Sequence, residues 1–125
     1  EDVHGAAFPN FGTEEWIVMA KRTLTLCNNG RIAFDYDMKI AEPILAADEA
    51  AVPPDLWPAF DALAEKPLAL LRGELSQLLS EQAFAEMQRR APQAICATVP
   101  GVGHAPTLDE PEARALVDRL LALIA

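Results

Sequence analysis

The chain has 125 residues, 51% of them hydrophobic, with 19 acidic against 10 basic side chains and a formal net charge of −9. That length holds one domain of ordinary size with a real core. The acidic surplus leaves no basic stripe to displace phosphate counterions, which excludes nucleic acid as a partner and disfavours an anionic membrane surface.

The longest apolar runs fall far short of the ~20 residues of a membrane span. The opening "EDVHG" is acidic and polar and lacks a signal-peptide pattern. Cys27 and Cys96 stand far apart, and Cys96 lies inside the apolar run "AICATV". Two buried thiols in a reducing compartment are expected, not a disulfide, and the expected location is the cytoplasm.

In chain order, "TEEWIVMAKRTL" predicts a helix with Thr13 as N-cap and Trp16, Ile17, Ala20 and Leu24 at helical spacing. "NNG" at 28–30 is a turn signal, and "RIAFDY" alternates weakly, as a short edge strand does. "DMKIAEPILAA" suggests a helix interrupted by Pro43, and "AVPPDLWPAF" is a proline-rich joint opening a helix capped by Asp55. Residues 1–66 therefore read as a small helical layer without a strong sheet signal.

After Lys66 the pattern changes. "PLALLRG" is a short, continuously apolar run ending in glycine, as a strand buried on both faces is. "SEQAFAEMQRRAP" follows as a helix capped by Ser80, with Ala83, Phe84 and Met87 inward and Pro92 just past its end. "AICATVPG" is a second buried strand. In "DEPEARALVDRLLALIA", Asp109 is the expected cap and Glu112 follows three residues later. Ala113, Leu116, Val117, Leu120, Leu121 and Ile124 form its apolar stripe. Strand, helix, strand, helix specifies a right-handed parallel unit over 67–125 and an α/β class.

Two parallel strands buried on both faces do not make a whole sheet. The chain also begins with Glu1. The expectation is the C-terminal portion of a larger α/β protein, or a fragment that completes its sheet as a homo-oligomer or against the remaining half of its parent.

Ligands of open parallel sheets bind beyond the carboxyl ends of the strands. Those ends here are "RGELSQLLS" and "PGVGHAPTL". His104, on a Gly-x-Gly-His turn, is the strongest candidate for proton transfer, and an acid on the first loop would orient its imidazole. His4, near the terminus, carries no such expectation.

These segments, "PLALLRGELSQLLS", "VPGVGHAPTLDEP" and the terminal amphipathic helix, resemble the last two strands and helices of the α/β-hydrolase superfamily. "EEWIVMAKRTL", "GRIAFDYDMKIAEP" and "PDLWPAFDAL" resemble its helical cap. The resemblance implies a partial α/β-hydrolase fold, a cap segment over 1–66 and part of the core over 67–125. It implies that His104 is the catalytic base. It also implies an aspartate where this chain has Gln77, and a glutamine cannot balance an imidazolium charge. Glu74 is the nearest carboxylate on that loop, and some family members carry the acid on an earlier strand. Asp109 and Glu110 suit a helix N-terminus.

Ser76 and Ser80 are the only serines, and neither lies in a Gly-x-Ser-x-Gly elbow. Two histidines and two cysteines at unrelated positions make no metal site, and no cofactor is implied. The aromatic residues crowd the first half and are expected to form its core. The family reading makes Trp16 and Trp57 candidates to line an apolar substrate pocket. Three functions stay open: an ester-type hydrolase acting on a small molecule once its nucleophile is supplied, a non-catalytic hydrolase-fold binding protein, and a free-standing interaction domain.

Overall fold

In the computed structural model, which describes residues 4–46 and 54–124, the chain forms two compact units, Phe11–Pro54 and Glu1–Asn10 with Asp55–Ala125. In the smaller unit, helix α1 runs Thr13–Thr23. Gly12, not Thr13, stands at its N-cap, where the Glu15 carboxylate reaches back to accept the Gly12 N–H at 3.0 Å. Phe11 meets Trp16 edge-on, with ring centroids 5.1 Å apart.

Leu24 leaves the helix in an extended conformation and opens strand β1, Leu24–Leu26, antiparallel to β2, Ile32–Phe34. The turn between them is closed by the Cys27 N–H on the Arg31 carbonyl at 2.8 Å, with Gly30 at φ 77°. The turn at 28–30 and β2 lie where the sequence signals them, while β1 is an unforeseen strand in a segment expected to be mainly helical. Three-residue strands are too short to show a period of two, so Leu24 appeared to continue the helix stripe.

A 3₁₀ turn, Met38–Ala41, is capped by the Asp37 carboxylate, and α2 follows at Glu42–Leu45. Pro43 sits in the first turn of α2, where its missing N–H costs nothing, and so interrupts no helix. Phe34 and Tyr36 approach to 5.1 Å but stay half exposed, so this part of the aromatic cluster is not a buried core. Residues 47–53, and with them the start of the proline-rich joint, lie outside the described residues.

The larger unit begins its helices with α3, Trp57–Ala64. Asp55 stands one residue before the N-cap Leu56, and its carboxylate still accepts the Trp57 N–H at 3.0 Å. Strand β3, Ala69–Gly73, pairs in parallel with β4, Ile95–Val99, in the register Ala69 to Ile95 through Gly73 to Val99. Helix α4, Glu81–Arg90, crosses between them, capped by the Ser80 hydroxyl on the Ala83 N–H. Phe60, Ala64, Leu70, Phe84 and Ala91 form the core, with Trp57, Met87 and Cys96 packed against it.

Helix α5, Pro111–Ile124, packs along both strands. Glu110, not Asp109, holds its cap position, since the Glu110 carbonyl accepts the Arg114 N–H while Asp109 pairs with the Arg114 guanidinium at 3.1 Å. Pro111 explains the shift: its fixed φ suits the first helical residue and disfavours helical backbone one residue earlier.

Burial is less complete than the sequence suggests. Ala113 and Leu116 are buried, whereas Val117, Leu121 and Ile124 remain exposed. In β4 only Val99 is fully buried and Thr98 is exposed, because this sheet has two strands among the described residues. Both cysteines are free and half-buried. No helix among the described residues is long and apolar enough to cross a membrane.

The tightest packing lies at the carboxyl end of the sheet. A Cβ on Gly73 would collide with the carbonyl oxygens of Val102 and Gly103, so the β3 terminus and the loop after β4 meet backbone to backbone. Gly103 in turn donates its N–H to the Ala7 carbonyl, which joins the turn at residues 4–8 to the same stack. Gly73→Ala is expected to destabilise the fold by about 3 kcal/mol, the upper end of overpacking costs. Gly30→Ala, with open space around the site, should cost only about 1 kcal/mol for its left-handed backbone. Denaturant midpoints of the two variants check the contrast.

On α4, hydrogen bonds from Arg89 and then Arg90 hold the Glu86 carboxyl down at about 2, below its usual 4.5. A lowered folded-state pKa means that the ionised form adds stability above the usual value and loses it as pH falls toward 2. Exposure keeps the contribution modest. Glu86→Gln should therefore be slightly less stable at neutral pH, and its difference from the parent should vanish between pH 4.5 and 2 in pH-resolved thermal melts.

Candidate functional site

Two loops leave the carboxyl ends of the parallel strands, and both are fixed by hydrogen bonds. After β3, the Arg72 guanidinium donates to the carbonyls of Leu79 at 2.9 Å and Glu74 at 3.1 Å and so spans the loop. Ser76 is buried inside it: its N–H reaches the Gly73 carbonyl and its hydroxyl accepts the Leu79 N–H, each at 3.0 Å. Ser80 caps α4, and the Cys96 thiol lies 3.5 Å from the Ala94 carbonyl within the sheet.

The loop after β4 is pinned on both sides of His104. The Glu74 N–H donates to Val99 and the Leu75 N–H to Val102, at 2.9 and 2.8 Å, which carries inter-strand bonding past the strand ends. Gly101, at φ 63°, donates its N–H to the Glu74 carboxylate at 2.7 Å. Further on, one Glu110 carboxylate oxygen accepts both the N–H and the hydroxyl of Thr107. Val102 and Gly103 are buried, and His104 emerges exposed immediately after them.

His104 and Gln77 line one groove of about 240 Å³, together with Ala6, Ala7, Leu75 and Leu78. Its walls are mostly apolar and its functional groups are one imidazole and one carboxamide. That pair can accept and donate protons and hydrogen bonds near an apolar ligand. Glu74 does not line the groove; its carboxylate turns to Gly101 instead. Trp57 packs against the core, edge-on to Phe60 and 4.5 Å beneath the Arg90 guanidinium. Trp16 belongs to the smaller unit. Of the five candidates read from the sequence, the structure brings together His104 and Gln77.

Sequence reasoning passed over Arg72 and the Ala6–Ala7 turn, and weighed Ser76 only as a nucleophile, not as the buried brace of its loop. Arg72 could have been noticed as a charge inside an otherwise apolar strand directly before its terminal glycine. The Ala6–Ala7 contribution has no local signal, since it arises from a contact with a loop nearly a hundred residues away in the chain.

No protein-family model matches the chain. A curated 3-hydroxybutyrate-oligomer hydrolase from Cupriavidus necator is 40% identical over 83 residues, covering 61% of this chain and 27% of its own length. A solved α/β hydrolase from Novosphingobium aromaticivorans superposes with a TM-score of 0.83 at 52% identity, over 94% of this chain and 41% of its own. The structure of E-2-(acetamidomethylene)succinate hydrolase matches with a TM-score of 0.57 at 23% identity, over 98% of this chain and 41% of its own, which shows likeness of fold. The chain thus spans well under half the length of each of these relatives. Its helix-and-hairpin segment followed by a parallel β-α-β-α unit matches part of an α/β-hydrolase fold.

Proposed function

We propose that this chain is the base-bearing portion of an ester hydrolase whose nucleophile is supplied by the rest of the complete enzyme. The observation that carries the reading is the position of His104, exposed on a pinned loop at the carboxyl end of β4 and sharing an apolar groove with Gln77. The 52% identity to a solved α/β hydrolase supports it. The exposed residues Val117, Leu121 and Ile124 of α5 support a continuation of the fold beyond this chain.

In the proposed reaction, the His104 imidazole takes the proton of the attacking hydroxyl as it adds to the ester carbonyl. It passes that proton to the departing alcohol, and then activates a water that releases the acid. Gln77 orients the imidazole by accepting its N–H through the carboxamide oxygen, without neutralising the cation that forms. The likeness to the 3-hydroxybutyrate-oligomer hydrolase makes short oligomers of 3-hydroxybutyrate the first substrates to assay.

The missing carboxylate at Gln77 favours a second reading, a hydrolase-fold protein that binds its ligand without turning it over. In the complete protein, His104→Ala is expected to lower ester turnover by roughly 10⁴-fold or more while the melting temperature stays unchanged. Unchanged turnover would remove His104 from the mechanism, and a complete protein without turnover but with ligand binding would favour the second reading. Gln77→Asp should preserve or raise kcat, because a carboxylate there stabilises the imidazolium; a fall in kcat would show that the groove does not use residue 77 in this way.

A further inference from the structure

We propose that Glu74 is a positioning residue for His104, acting through the backbone of the Gly101 turn and not as the acid partner of the imidazole. This rests on the reading of His104 as the catalytic base. The Glu74 carboxylate accepts the Gly101 N–H at 2.7 Å, across 27 residues of sequence and only three residues before His104. Gly101 adopts φ 63°, a left-handed conformation that turns the chain back toward β3.

Glu74 is also anchored through its own backbone. Its N–H donates to Val99 at 2.9 Å, and its carbonyl accepts the Arg72 guanidinium at 3.1 Å. Glu74 therefore ties the end of β3, the end of β4 and the Gly101 turn into one rigid joint. A charged acceptor on a backbone N–H makes a shorter and stronger bond than a neutral one. A small displacement of a catalytic group is enough to lower a rate substantially. The carboxylate thus fixes where the loop presents the imidazole, while Gln77 is the side chain that shares its groove.

The experiment compares Glu74→Gln and Glu74→Ala in the complete protein. Glutamine keeps an oxygen for the Gly101 N–H, so kcat should stay within about threefold of the parent. Alanine removes the acceptor, and kcat should fall about 10²-fold with KM nearly unchanged. In a His104→Ala background, Glu74→Ala should add no further loss, because it acts through the imidazole. Equal damage from glutamine and alanine would make the negative charge essential and overturn the proposal in favour of an acid role. Parent-like activity in both variants would overturn it as well.

Amide hydrogen exchange at Gly101 gives a readout independent of turnover. Protection should survive in Glu74→Gln and be lost in Glu74→Ala. If His104→Ala leaves turnover intact, the functional reading falls, and the same exchange data still decide whether Glu74 holds the turn.

Discussion

The contact between Gly73 and the Val102–Gly103 backbone is the constraint on which the candidate site depends. Two parallel strands hold their own carboxyl ends in register, but nothing in strand pairing dictates what the following loops do. Here the absence of a side chain at residue 73 lets the second loop settle directly on the first. The Leu75 N–H then reaches Val102, and the Gly103 N–H reaches Ala7. His104 leaves that stack at a fixed point, beside Gln77, so the groove inherits its geometry from backbone packing and not from its own side chains.

The loop carboxylates divide their work. Glu110 binds Thr107 at the entry to α5, and Glu74 binds Gly101 at the start of the turn. Both stabilise backbone N–H groups that strand and helix ladders leave unpaired, an obligation any such loop has to meet. Neither lines the groove, whose polar groups are Gln77 and His104. An acid count taken from the sequence therefore overstates the carboxylates that face a ligand.

The surface tells a related story. The outer side of α5 exposes Val117, Leu121 and Ile124, and in the other unit Leu26 and Ile32 are each 71% exposed. Soluble proteins seldom leave apolar side chains grouped in this way without a covering layer. Helix α5 has its opposite side packed on the strands, whereas every residue of β2 is exposed.

The elements of the second half were legible in the sequence because long periodic segments and side-chain caps are local properties. Ser80 caps α4 as its position suggests, Phe84 is buried, and both apolar runs are strands that pair in parallel. His104 was legible as a candidate because a histidine after Gly-x-Gly at a strand end is a local pattern. Of the hairpin, the turn at 28–30 and β2 were legible, but β1 was not, since its three residues are defined by pairing with β2 and not by any internal period. The cap of α5 shifted by one residue because Pro111 decides where helical backbone begins. Only the tertiary structure decided what the loop residues do. Sequence adjacency makes Glu74 and Gln77 equal candidates to face His104, but the left-handed turn at Gly101 presents an N–H that takes the Glu74 carboxylate, while Gln77 lines the groove.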